Sequence, residues 1–237
     1  MEKETFINKL REAFGERFPL PIAVGYSRQP KGLTPAKTHC MIKHMLTARG
    51  GEAVSLSQDD VLCRGGKVYA GYADMNEKIC NFVSGFEKYK ETPESVASFA
   101  ADLNLPKREG EYLNFLRIDS PEVNLKEAEG IVFFVNPDAL AGLWSWANFD
   151  INEEDGVIAN FGSGCSSSIS NLVRENRIGG HRCFIGMLDI SVRPLLHPDE
   201  LTFAIPRCRL EQMMQTIDKC CLSGAPAWQK VKSRIEA

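Results

Sequence analysis

Residues 131–149 read IVFFVNPDALAGLWSWANF, and this stretch decides the fold. Five apolar residues in succession, with no polar alternation, describe a strand buried on both sides rather than one that faces water. Asn136 and Pro137 then supply a cap and a first-turn residue for a helix, along which Leu140, Leu143, Trp144 and Ala147 recur at helical spacing on a core-facing side. The polar break at Asn136-Pro137-Asp138 also argues against a membrane span, because in lipid those groups would lack partners. A buried strand feeding a helix makes the chain α/β.

Working outward, the same alternation of elements continues. Phe6, Ile7, Leu10 and Phe14 share one face of an opening helix that should end near Gly15, and PIAVGYS (21–27) reads as a first strand. A helical segment from His39 to Arg49 stops at Gly50-Gly51, and AVSLS (53–57) follows as a strand. Two helices are expected over 76–89 and 93–103, and the charged, proline-containing NLPKREGEY (104–112) marks a division between lobes at 1–105 and 112–237. Beyond it VIANF (157–161), HRCFIGML (181–188) and LTFAI (201–205) supply strands. The turn LLHPDEL joins the last two as an antiparallel pair, and Leu210, Met213, Met214, Ile217 and Cys221 stripe a closing helix. The expectation is one compact domain of mixed α+β type, its two lobes built around a mixed sheet.

The chain has 237 residues, 43% hydrophobic and 25% charged, with net charge -3. That length buries a substantial core, and that charge offers no general attraction to nucleic acid, so no nucleic-acid or membrane partner is expected. The opening MEKETFINKL lacks the basic start and apolar middle of a secretory signal, which places the protein in the cytoplasm as an expectation. There its eight cysteines should be free thiols.

Cysteine position is the functional lead. In AVSLSQDDVLCRGG, VIANFGSGCSSS and LTFAIPRCRLEQMM a strand-like run leads through a turn to a cysteine, Cys63, Cys165 or Cys208, at the start of a helical stretch. A thiol at a helix start meets unpaired N–H groups and the positive end of the dipole, which favour the thiolate that attacks electrophiles and binds soft metals. Arg64 and Lys67 add positive charge around Cys63. In FGSGCSSS, Gly162 and Gly164 allow close backbone approach, while Ser163, Ser166 and the helix-start N–H groups offer an anion donors beside Cys165. The loop has neither the lysine of a P-loop nor the glycine spacing of a dinucleotide fingerprint or nucleophile elbow, and a Ser-capped helix with an inert buried cysteine is the plain alternative.

Cys40 and His44, four residues apart on a helical face, could join His181 and Cys183 in a zinc site, although the short Cys-to-Cys spacing of zinc motifs is missing. Cys80, Cys220 and Cys221 read as packing residues. Two functional readings follow. The first is a cysteine-ligated cofactor site, foremost an iron–sulfur cluster, where Cys40, Cys63 and Cys165 converge with His44 nearby. The second is a small-molecule binding protein or thiol-dependent enzyme using Cys165 or Cys63, with Trp144, Trp146 and Phe161 lining the pocket. Both require Cys63 and Cys165 to open into one cleft at the strand ends.

LPIAV (20–24), Cys63, VFFVNPDALAGL (132–143) and HPDELTFAIP (197–206) together resemble a family of archaeal and bacterial proteins, the ArCR-type domain of unknown function. The resemblance spans most of the chain and implies a single-domain cytosolic protein without adding a reaction. That family's glycine-cysteine pair before the last turn is not matched, since Met187 follows Gly186 here.

Overall fold

The computed structural model describes residues 2–34 and 40–236. In chain order the elements are α1 (Lys3–Phe14), β1 (Ile22–Ser27), α2 (Met41–Arg49), β2 (Val54–Leu56), α3 (Arg64–Tyr69), α4 (Glu77–Asn81) and α5 (Pro93–Asp102). There follow β3 (Tyr112–Arg117), β4 (Gly130–Val135), α6 (Pro137–Ala147), β5 (Val157–Ile158), α7 (Asn171–Arg177), β6 (Cys183–Gly186), β7 (Leu201–Pro206), α8 (Arg207–Met213) and α9 (Pro226–Glu236). Two π-helical turns, Phe82–Phe86 and Ser166–Ser170, continue α4 and lead into α7. Among these residues, no helix is long and apolar enough to cross a membrane.

The strands form one open sheet in the order β2-β3-β1-β4-β7-β6-β5. It is mixed: β5 runs parallel to β6, and the other pairings are antiparallel. The segments before and after 106–111 share it, because β1 lies between β3 and β4 with Ile22 opposite both Arg117 and Val132.

Helices cover both faces, which explains the unbroken apolar run of β4. Ile131 and Phe133 point to a first core with α1, α6 and α8, where Phe6, Leu143, Trp146 and Leu210 are buried. Val132 and Phe134 point to a second core with α2 and α7, containing Ile42, Leu172 and Cys165. Alternate residues of a strand face opposite ways, so a strand covered on both faces is apolar throughout. The expected cap of α6 is present: Asn136 Oδ1 accepts from the Ala139 N–H at 3.0 Å, with Pro137 in the first turn.

Two element ends differ from expectation. The closing helix stops at Met213 instead of running to Cys221, and the Met213 carbonyl instead accepts from Trp146 Nε1 at 2.9 Å and from Thr216 Oγ1 at 2.8 Å. Strand β6 stops at Gly186 because Met187 takes a left-handed backbone (φ 63°) that turns the chain out of the sheet. The expected antiparallel pairing of β6 with β7 is present, Phe184 opposite Ala204.

Candidate functional site

Three cysteine-bearing segments meet on the second face of the sheet. Cys40 is the extended residue immediately before α2. Cys63 occupies the same position before α3, where its Sγ accepts from the Gly66 N–H at 3.2 Å. Cys165 leads into the π-helical turn 166–170, a geometry that inserts one extra residue per turn and recurs at functional sites. The start of α2 touches both other segments. A Cβ placed on Gly66 would stand 3.5 Å from Cys63 Sγ and 3.5 Å from Met41 Cβ, and one placed on Gly164 would stand 3.4 Å from Ile42 Cδ1. The convergence is also electrical, since Cys63 and Cys40 both act on the titration of Cys165.

The thiolate expectation is reversed. Burial pushes the Cys165 thiol well up, and the neighbouring Cys63, Cys40 and Asp189 push it further. Burial likewise raises Cys63, and the Gly66 N–H opposes it without prevailing. A helix start lowers a thiol pKa only where water or fixed charge supports the anion, and here α3 has six residues and the thiol is largely desolvated. Cys165 is 7% exposed. At neutral pH both are protonated.

Tyr69, Asp189 and Glu87, which sequence reasoning missed, stand near the thiols together with Ser163 and Ser166, which it named. The Tyr69 hydroxyl, pushed up to about 12 by burial, is hydrogen-bonded by Ser163 and lies close to Cys165 and Asp189. Asp189 accepts from the Gly164 N–H at 3.0 Å and from Ser191 Oγ at 3.1 Å, and burial raises its carboxyl above the usual range. Glu87 is raised by burial and then by Asp189. The Ser166 N–H donates to Ser163 Oγ at 3.2 Å, while Ser166 Oγ is buried with no hydrogen-bond partner among the described residues. A buried orphan hydroxyl is uncommon and marks a donor awaiting an acceptor such as an ordered water or a ligand atom. Nothing local in the sequence gathers these residues, which come from 69, 87, 163–166 and 187–191.

The segment carrying α4, the first π-helical turn and α5 borders this region. Its pieces pack mainly on one another. It reaches the body through the Tyr89 hydroxyl, which accepts from the Ser191 N–H at 2.8 Å, and through Lys90, whose ammonium sits 4.9 Å from the Phe99 ring and 4.6 Å from the Phe161 ring. Phe99 and Phe161 themselves meet edge to face at 5.5 Å. The loop of Cys165 is thereby held from above by an ammonium between two aromatic faces.

Other sequence candidates lie elsewhere. Trp146 is in the first core, across the sheet from Cys165. Trp144, on the same helix, is 51% exposed, so neither lines a cleft with the thiols. The tryptophan-lined pocket is therefore corrected to a wall of Tyr69, Ser163 and Asp189. The four-residue zinc set does not assemble, because Cys183 is in the first core and Cys40 packs against the second. His181 instead faces Asp155 at 3.3 Å. His44 is buried beside the start of the site, its pKa lowered by burial with Asp60 opposing. Among the described residues no three His, Cys, Asp or Glu side chains already stand together as a metal-holding group. Gly162 adopts a backbone (φ 152°) in which a Cβ would meet Ser166 at 3.2 Å. A groove lined by Asn104, Arg174, Ile178 and Arg182 and a small cavity beside Tyr26 and Asn114 contain none of the three cysteines.

The DUF169 family model, described as Uncharacterised ArCR, matches residues 15–216. No curated protein and no solved structure matches the chain.

Proposed function

We propose that this chain, which belongs to the uncharacterised ArCR family, is a cytoplasmic protein that holds a thiophilic metal centre, foremost an iron–sulfur cluster, on Cys40, Cys63 and Cys165. The observation that carries the reading is the meeting of these cysteines at the starts of three helical segments from distant parts of the chain. Thiolates are the usual cluster ligands, and burial in an apolar core keeps water from the bonds they make. Protonated thiols are what such a group looks like without metal, and binding exchanges each thiol proton for a metal bond. Because the thiols do not already stand as a metal-holding group among the described residues, binding in this reading requires the three segments to draw together. When bound, a cluster supplies one-electron transfer or a Lewis-acidic iron. Zinc on Cys40 and His44 is the lesser form, since the short Cys-to-Cys spacing of zinc motifs is missing.

Purification without oxygen, reconstitution with ferrous iron and sulfide, and metal, sulfide and visible-absorption analysis test the reading. Brown protein whose colour is lost in each of Cys40→Ser, Cys63→Ser and Cys165→Ser supports it. Colourless, metal-free protein that keeps its fold refutes it.

A second reading, a small-molecule site, is favoured by the buried Ser166 hydroxyl, which has no hydrogen-bond partner among the described residues, next to Ser163, itself bonded to Tyr69. In that reading Cys63, less buried than Cys165, is the thiol open to chemistry. One thiol labelling much faster than the others near neutral pH favours it over the cluster, and uniformly slow labelling counts against it.

A further inference from the structure

Residues 73–105 leave the body and return to it at one narrow neck. Gly71 (φ 71°) lies so close to the returning chain that a Cβ there would stand 2.9 Å from the Pro106 carbonyl oxygen and 3.0 Å from the Arg108 nitrogen. Tyr72, buried in the second core with the Arg108 guanidinium 5.2 Å from its ring, fixes the neck to the sheet. On the returning side Asn104 takes a left-handed backbone at φ 47°, a conformation that this residue type enters readily. A few loop residues of this kind are what a hinge uses to absorb rotation.

Beyond the neck the segment keeps its own shape. Asn76 Oδ1 caps α4 by accepting from the Ile79 N–H at 3.2 Å, and Thr92 Oγ1 caps α5 by accepting from the Ser95 N–H at 3.2 Å. Ile79, Cys80, Val96 and Ala100 are buried, yet none of them is part of either core of the sheet, and the elements that carry them pack mainly on one another. A groove of about 660 Å³ separates Ala101, Asn104 and Leu105 of this unit from Arg174, Ile178 and Arg182 of the body. Toward the thiols the unit is held by the Tyr89 hydroxyl, 2.8 Å from the Ser191 N–H, and by the Lys90 ammonium, 4.6 Å from the Phe161 ring. Both contacts land on loops of the site. Ser191 is two residues beyond Asp189, which accepts from the Gly164 N–H at 3.0 Å, and Phe161 opens the loop that carries Cys165. Glu87, two residues before Tyr89, acts on Cys63, Tyr69 and Asp189.

We propose that residues 73–105 form a lid over the thiols, hinged at Gly71 and Asn104 and latched by Tyr89 and Lys90, and that release of this latch governs access to Cys63 and Cys165. The lid does not depend on what the thiols bind. A self-contained unit with few apolar contacts to the body opens at less cost than the sheet unfolds, and such units are the usual source of active-site lids. The latch is one hydrogen bond and one partly exposed ammonium, weak enough to release and sufficient to keep the closed form in the majority.

Full-length wild type and the double variant Tyr89→Phe, Lys90→Ala, both treated with a chelator so that the result is independent of any metal, are exposed to iodoacetamide, and labelling of each cysteine is followed by mass spectrometry. Cys183, fully buried in the first core across the sheet, reports global unfolding in the same sample. Loss of both latch contacts is expected to speed labelling of Cys63 and Cys165 about tenfold, as one hydrogen bond and one cation–π contact together are worth, with Cys183 unchanged. Labelling of Cys63 and Cys165 at the wild-type rate overturns the lid. So does acceleration of all three cysteines together, which is unfolding rather than opening. Amide exchange of the wild type tests the same motion without a substitution: the amides of 77–102 should exchange as a group, well before those of β1 and β4. Exchange of 77–102 only in step with the sheet overturns the lid as well.

Discussion

Ser55→Ala is a perturbation whose cost can be worked from three hydrogen bonds. Ser55 is fully buried in β2, and its hydroxyl accepts from the Lys31 and Gly32 N–H groups, both at 2.8 Å, while donating to Asn114 Oδ1 at 2.6 Å. The docked segment is extended by Leu33, whose N–H donates to the Ala53 carbonyl at 2.9 Å. Alanine leaves the buried Asn114 oxygen without this donor, at roughly 1–3 kcal/mol. The two N–H groups are half-buried and recover part of their loss from water, adding about 0.5–1 kcal/mol each. The expected loss is therefore about 2–5 kcal/mol, a large share of the roughly 5–15 kcal/mol that ordinary domains have. Urea unfolding followed by circular dichroism measures it, and amide exchange at Lys31 and Gly32 should accelerate in parallel. A loss below about 1 kcal/mol with unchanged exchange at both amides refutes the reasoning. It would mean that the serine does not hold this segment on β2.

Alkaline stability should follow Tyr72, whose hydroxyl donates to the Leu56 carbonyl at 2.6 Å and accepts from the Leu113 N–H at 2.9 Å, and whose pKa burial raises from 10.0 to about 12. Because the folded state holds the proton more tightly, this contribution is full below pH 10 and is lost as pH rises toward 12, by roughly 2–3 kcal/mol; urea midpoints across that window should fall less steeply in Tyr72→Phe. Gly142→Ala gains about 1 kcal/mol of helix propensity yet should destabilise, because its Cβ would lie 2.3 Å from the Trp228 ring and 2.8 Å from that of Phe14, neither of which can bend aside; a raised melting temperature would contradict the packing. Lys90→Ala removes the ammonium between Phe99 and Phe161, worth about 0.5–1 kcal/mol, and should speed proteolysis within 77–102 more than it lowers global stability.

The parts of the fold legible in sequence are those where a local rule and the tertiary environment agree. IVFFV reads as a buried strand because both of its faces meet helices, and Asn136-Pro137 reads as a helix start because cap and first turn need only neighbours in the chain. The end of α8 was illegible for the opposite reason. The apolar stripe continues past Met213, and what competes for that carbonyl is Trp146, 67 residues away in sequence. The close of β6 was hidden too, since methionine carries no signal for a left-handed turn. Strand order, with β1 taken in between β3 and β4, depends on pairings that no segment announces by itself.

At the candidate site, sequence located the cysteines and misjudged their charge. Helix starts, Arg64 and Lys67 are visible in the residue order, whereas desolvation is a property of what folds over the thiol. The two effects oppose each other, and the deeper the thiol lies the more burial wins. The same distinction separates the competing uses of these cysteines. A nucleophile needs its anion at neutral pH with access for a substrate, and Cys165 is protonated and 7% exposed. A metal ligand needs a thiol near other soft donors and shielded from water, with the metal itself driving off the proton. The burial that weighs against Cys165 as a nucleophile is therefore no obstacle to a thiol that gives up its proton to a metal.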